Sequence, residues 1–381
     1  MYSLAGYGDM MKDRVRMAAY EAALRAAVRP GCVVADVGAG TGIMSFLACR
    51  LGAGRVYAIE PADAIEVAKS LAAANGFADR IVFLHDLSTR VTLPERADVV
   101  VADLRGVLPW FTHNVPAVID ARTRLLKPGG SLIPQRDTLW LGVVHAPELY
   151  ARFTDAWGDN GLGLNLVPAK RLLLNNWVKG HAGPEQFVTE AHQVAVLDYA
   201  LTTDVHLDAQ TTWAVTRPGI AHGFSAWFDA VLTPGVGFSN GPDRPKLLYG
   251  QAFFPWLEPV ELHAGDRVTV HLRARLVGDD YVWNWDTTVD AGGTGRAKAS
   301  FRQSTFFGAP LSAAALHKGA DGYVPNLDED GRLDHFILSQ MDGCRTLADI
   351  ARLVAERYAE RFPRWADALA RVGELSKRYG R

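Results

Sequence analysis

Cysteine is scarce: Cys32, Cys49 and Cys344 are the only three in 381 residues, and none stands in a CxxC pair or a metal-ligand spacing. An odd, sparse set excludes a disulfide framework and fits a reducing compartment. No metal site is expected. Nor does any apolar run approach the eighteen residues a membrane helix needs, and the opening MYSLAGYGDMMKDRVR lacks a signal-peptide core. The chain therefore reads as cytoplasmic, without a membrane partner. Charge of one sign is missing too: 40 basic and 42 acidic residues leave a net charge of −2, and no dense Lys/Arg stripe offsets it. That excludes a nucleic-acid surface. There is no internal repeat and no low-complexity tract.

What is present is an ordinary globular composition, 49% hydrophobic and 22% charged, in a chain long enough for two or three domains. Its most informative stretch is VVADVGAGTG at 33–42, an apolar run ending near Asp36, then Gly38, Gly40 and Gly42, then the helix-compatible IMSFLACRLG. This reads as a buried strand, a tight turn and a helix N-terminus, the start of a nucleotide-binding α/β domain. The next strand, RVYAIEP, puts Glu60 about twenty residues on, where an acid can accept both hydroxyls of a ribose, with Pro61 beside it. GxGxG spacing, shorter than GxGxxG, favours S-adenosylmethionine (SAM) over a dinucleotide. Asp86 ends the following run, RIVFLHD, and is a candidate for the adenine amino group. Singly, Glu60 and Asp86 could be solvated residues at strand ends; three acids at ordered strand ends argue against that reading.

Helical spacing over 10–28 predicts one helix before the first strand. From 33 to about 134, strands (33–37, 56–60, 81–84, 98–102) alternate with helices (43–51, 63–75, 115–126), the pattern of a doubly wound parallel sheet. KPGG at 127–130 reads as a turn into SLIPQ, a strand stopped by Pro134. Beyond 135, TLWLGVV, QVAVLDY, RVTVHLRARLV and YVWNWDTTV read as an antiparallel sheet or barrel. A segment at about 147–180, rich in Leu and aromatics, suits either a projecting helical arm or a packed insertion. The last sixty residues carry two amphipathic helices around MDGCRT, with Thr346 as N-cap and Asp349 in the first turn, then a helical tail at 364–378.

With these pieces in order, the chain resembles the protein arginine methyltransferases over roughly 9–310. The resemblance is carried by DMMKDRVRMAAY (9–20), VVADVGAGTGIMSFLACRLGAGRVYAIEP (33–61), ADVVVADLRG (97–106), RLLKPGGSLIPQRDTLW (124–140) and GFSNGPDRP (237–245). It implies a Rossmann-like SAM-binding domain at 1–134, then a β-barrel substrate domain at 135–315 whose arm at 147–180 serves dimerisation. It further implies Arg16 on the SAM carboxylate, Met10 beside the methyl, Gly38, Gly40 and Gly42 under the amino-acid part, Asp36 tying down the turn and Glu60 on the ribose. A second likeness, of 320–381 to small winged-helix domains of the PqqD type, rests on LDEDGR, MDGCRT and the helix after it. It implies a peptide partner adding a strand to that domain, where the plainer reading is a helical cap.

The family's two substrate-gripping glutamates are not retained. Asp103 stands at the first position and Thr112 at the second, and Leu247, Leu248 and Tyr249 replace the family's Thr-His-Trp loop. One short acid cannot reproduce a two-carboxylate fork around a guanidinium. The candidates near the methyl are thus Asp103, Thr112, His113 and Tyr249, His113 being able to accept a proton near neutrality. The expectation is a homodimeric SAM-dependent methyltransferase that N-methylates a peptide or peptide-derived natural-product precursor rather than protein arginine. The alternatives are a small-molecule N- or O-methyltransferase of secondary metabolism and a SAM-binding pseudoenzyme scaffold.

Overall fold

The computed structural model describes residues 3–158, 161, 163–292 and 295–380, so positions 159, 160 and 162 of the predicted arm lie outside the described residues. It divides into two compact units, Met1–Pro310 and Leu311–Arg381.

The first unit begins with two helices, α1 (Leu4–Lys12) and α2 (Arg14–Ala27), where the periodicity predicted one. Asp13 breaks them: its carboxylate accepts the Arg16 backbone N–H at 3.1 Å and so caps α2. Along α2 the buried residues are Arg16, Ala19, Tyr20, Ala23 and Leu24, one helical face. Then come β1 (Val33–Val37), α3 (Ile43–Arg50), β2 (Arg55–Ile59), α4 (Ala64–Ala74), β3 (Ile81–Leu84), β4 (Ala97–Ala102), α5 (Asn114–Arg124) and β5 (Leu126–Ile133). The five strands form a parallel sheet in the order β3-β2-β1-β4-β5. KPGG is not a turn before β5 but lies within it. Pairing with β4 jumps from Ala97↔Leu126 to Val99↔Ser131, so the extra residues are absorbed as a bulge.

Next along the chain are β6 (Arg136–Val144), α6 (Pro147–Thr154), α7 (Val167–Leu174), β7 (Val178–Gly180), β8 (His192–Asp198), β9 (Leu207–Ala214), β10 (Gly219–Thr233), β11 (Val236–Ser239), β12 (Gln251–Leu262), β13 (Arg267–Val277), β14 (Asp280–Asp290) and β15 (Ala297–Ser304). These strands make two antiparallel sheets, β7-β12-β10-β6-β8 with β11 on β10, and β15-β14-β13-β9. β13 and β14 bury alternate residues, among them Val268, Val270 and Leu272 facing inward with Trp283 and Trp285. One continuous core joins the parallel sheet (Val37, Ala102) and α5 (Val115) to this interior (Phe254, Trp285). That continuity fixes the loops after β1, β2 and β4 against the turn before β12.

Residues 311–380 contain α8 (Ala313–Lys318), α9 (Glu329–Ser339), α10 (Leu347–Arg357) and α11 (Trp365–Tyr379). The last three close over Leu333, Ile337, Ile350, Val354, Val372 and Leu375. Thr346 and Asp349 form the expected reciprocal cap of α10. Among the described residues of this unit there is no strand, so the wing of a winged helix is missing.

Gly223 sits inside β10 at φ +152°, where a Cβ would come within 2.1 Å of the Phe254 carbonyl oxygen. Gly223→Ala is expected to destabilise the first unit by about 2–4 kcal/mol, since rigid backbone cannot yield. Urea unfolding checks this; a loss below about 0.5 kcal/mol would show that the two strands shift freely.

Candidate active site

The site lies at the carboxyl ends of β1, β2 and β4, where parallel sheets present ligands. Gly38, Gly40 and Gly42 have φ of 74°, 54° and 87°, so the turn after β1 is built from conformations that side chains disfavour. Gly38 and Ala39 donate to the Ile59 carbonyl at 2.9 and 3.0 Å, which ties the turn to β2. A Cβ on Gly38 would lie 2.3 Å from Leu104, and one on Gly40 2.5 Å from Tyr7. Glu60, 7% exposed, accepts the N–H groups of Gly40 and Ala62 at 2.9 Å each. Asp36 accepts the backbone N–H of Ser45 at 2.9 Å and its hydroxyl at 2.7 Å, pinning the start of α3. Pro61 is exposed, and so is Asp86, whose carboxylate accepts its neighbour Leu87 N–H at 2.7 Å.

Beside this turn Arg16 enters from α2. Its Nε donates to Asp103 Oδ2 at 2.6 Å, and its Nη2 lies 2.5 Å from the same oxygen. Nη1 donates to the Met10 carbonyl at 3.2 Å. The Tyr249 hydroxyl is 2.8 Å from both Asp103 oxygens. Asp13 holds Tyr249 in place, because its second oxygen accepts the Leu248 N–H at 2.8 Å. Burial works against the charge on Asp103, yet Arg16 and Arg105 outweigh it and hold the carboxyl below its usual range. Burial, reinforced by Asp103, pushes the Tyr249 phenol far up, so it stays a donor.

Four of the candidate residues thus converge: Met10, Arg16, Asp103 and Tyr249. The other two chemistry candidates face elsewhere. The Thr112 N–H donates to Asp280 Oδ1, at the start of β14, at 3.4 Å, and His113, half exposed, pairs at 3.2 Å with Asp279 on the turn between β13 and β14. Thr112 has φ 39°, a strained conformation for a β-branched residue. The sequence reading missed the layer behind Asp103. Arg105 has no exposed side-chain surface and lies 3.5 Å from Asp103 and 3.4 Å from Asp137. The Tyr199 hydroxyl donates to Asp137 at 2.7 Å, and Asn114 donates to Tyr199 at 3.2 Å. The available signal was a lone arginine inside the apolar loop LRGVLPWF.

Among the described residues there is no metal-binding cluster and no helix long and apolar enough to cross a membrane.

A parallel sheet with a glycine turn at its carboxyl edge, continued into two antiparallel sheets, is the fold of the protein arginine methyltransferases. The structure of the Trypanosoma brucei PRMT1 enzyme–prozyme complex with AdoHcy superposes with a TM-score of 0.70 at 22% identity, covering 78% of this chain and 96% of that one. Arabidopsis thaliana protein arginine methyltransferase 10 gives 0.69 at 21%, covering 79% and 97%. The ribosomal protein L11 methyltransferase (PrmA) family matches residues 18–134. In sequence, the chain is 31% identical over 246 residues to the probable protein arginine N-methyltransferase 6 of Arabidopsis thaliana, 62% of this chain and 55% of that protein. It is 28% identical over 273 residues to an arginine N(omega)-methyltransferase of Streptomyces achromogenes, 69% of this chain and 74% of that one. The chain thus spans little more than half the length of its plant relative. It is methyltransferase-like in sequence and arginine-methyltransferase-like in fold.

Burial pushes the Asp36 carboxyl up to about 6, even though both Ser45 hydrogen bonds favour its ionised form. Because the folded value exceeds the ordinary 3.8, the contribution to stability is fully present below pH 3.8 and is lost as pH rises through about 6. The loss amounts to about 3 kcal/mol. Wild-type minus Asp36→Asn stability, from urea unfolding between pH 4 and 7.5, should fall by that order; a pH-independent difference would contradict it.

Proposed function

We propose that the chain is a SAM-dependent methyltransferase that N-methylates a peptide or peptide-derived natural-product precursor rather than protein arginine. SAM, when bound, supplies an electrophilic methyl on a sulfonium. The residues here suit it: a three-glycine turn in positive-φ backbone that side chains disfavour, flanked by the buried carboxylates of Asp36 and Glu60. Glu60 would hold the ribose beside Pro61, Asp86 the adenine edge, and Arg16 the carboxylate, with Met10 beside the methyl.

The observation that carries the acceptor half is the state of Asp103. Arg16 and Tyr249 already occupy it, and the position expected to bring a second acid holds Thr112, turned toward Asp280. An arginine side chain would meet no free carboxylate fork. Asp103 and Tyr249 would shape the acceptor pocket, and His113 is the one candidate base exposed to solvent. Methylation of a free small molecule has its own support. The Streptomyces relative is named for arginine itself, and the helical unit at 311–380 offers a peptide no strand edge. We further propose a cytoplasmic homodimer, the arm exposing Trp157, Leu164, Val167 and Leu172 as apolar contacts.

Isothermal titration with S-adenosylhomocysteine is expected to show one site per chain. Glu60→Ala should weaken it at least tenfold, the order of a lost charged hydrogen bond at about 1.5–3 kcal/mol. No heat of binding would refute the cofactor assignment, and methylarginine formed on a histone-like peptide would refute the acceptor assignment.

A further inference from the structure

Arg105 is the charge in this site that cofactor binding does not use. Its guanidinium is wholly buried, with its centre 5.6 and 5.5 Å from the rings of Phe228 and Phe238. Both terminal nitrogens donate to the Tyr20 hydroxyl at 3.1 Å, and that hydroxyl donates to the Ala102 carbonyl at the end of β4. A buried guanidinium persists only where carboxylates compensate it. Here Asp103 lies on one side and Asp137 on the other.

The local charges close to zero: Arg16 and Arg105 against Asp103 and Asp137. Both oxygens of Asp103 are engaged as well. Oδ2 takes two contacts from Arg16, Oδ1 faces Arg105, and the Tyr249 hydroxyl bridges both. The carboxylate's charge is thus compensated from both sides before any substrate arrives. Even if a cofactor carboxylate drew Arg16 away, Arg105 and Tyr249 would still hold Asp103. A cationic acceptor entering beside a sulfonium would then add like charge to a site with no surplus anion.

We infer that the Arg105–Asp137 pair determines acceptor specificity: by keeping Asp103 compensated it admits an acceptor whose reacting atom is uncharged, such as an amide or ring nitrogen, and rejects a guanidinium. This rests on the methyl-transfer reading of the same site. Arg105 acts through Asp103 and is a positioning residue, touching no reacting atom.

The test uses full-length protein saturated with S-adenosylhomocysteine and two probes of nearly the same shape, ethylguanidinium and neutral N-ethylurea. Dissociation constants are read from chemical-shift titration. Wild type should bind the urea at least tenfold more tightly than the guanidinium. Arg105→Met, which removes the positive charge beside Asp103 and leaves Asp103 and Asp137 with Arg16 alone, should tighten guanidinium binding at least tenfold and leave the urea within threefold. Arg105→Lys keeps the charge and should keep the wild-type preference, a rescue that a merely structural arginine would not predict. Equal binding of the two probes by wild type, no binding of either, or an unchanged ratio in Arg105→Met each overturns the inference. If Arg105→Met does not fold, the wild-type ratio and Arg105→Lys still decide. Failure of wild type to bind S-adenosylhomocysteine at the outset would instead sink the cofactor reading.

Discussion

The contact between Arg16 and Asp103 is the constraint on which the site depends. It joins the first turn of α2 to the residue after β4, and Tyr249 brings in the turn before β12. Three segments far apart in sequence are thereby held at one point. Each is prepared locally: Asp13 caps α2 and also holds Leu248, Tyr20 fastens the end of β4, and the continuous core keeps both antiparallel sheets against the parallel one. Removing one partner of such a buried pair typically costs about 3–5 kcal/mol, because the other charge is stranded.

That contact also separates what the scaffold keeps from what it changes. The glycine turn, Asp36 and Glu60 form a buried, hydrogen-bonded cradle that is independent of the acceptor's identity. The acceptor side has no such generic geometry. A site that grips a guanidinium needs surplus negative charge aimed at it. Here the acid after β4 is consumed internally by two arginines and a tyrosine, and strain at Thr112 accompanies a backbone bond to Asp280 instead of a second carboxylate. The fold is shared with arginine methyltransferases, and in this chain Asp103 is held by Arg16, Arg105 and Tyr249.

Much of the fold was legible because period-two and period-3.6 patterns report burial directly. RVTVHLRARLV and YVWNWDTTV, for example, are β13 and most of β14. Two misreadings have local causes. Asp13 splits one apolar periodicity into two helices because its side chain competes as a cap. KPGG has turn composition, yet the sheet absorbs it as a bulge. The winged-helix likeness near the C-terminus rested on LDEDGR, the MDGCRT turn and the helix after it, with no strand pattern behind it. In the site, residues with a fixed spacing to the turn were readable, whereas Arg105, Asp137 and Tyr199 were not. Their meaning lies in the Arg105–Asp137 and Tyr199–Asp137 contacts, which span 32 and 62 positions of chain and which no local pattern carries.

The most direct measurement is a crystal structure of the protein with S-adenosylhomocysteine bound. The account predicts the ligand over the 38–42 turn with its ribose on Glu60, and Asp103 still held by Arg105 and Tyr249 with no free oxygen facing the acceptor cavity. An Asp103 carboxylate turned away from Arg105 and open toward that cavity would contradict it.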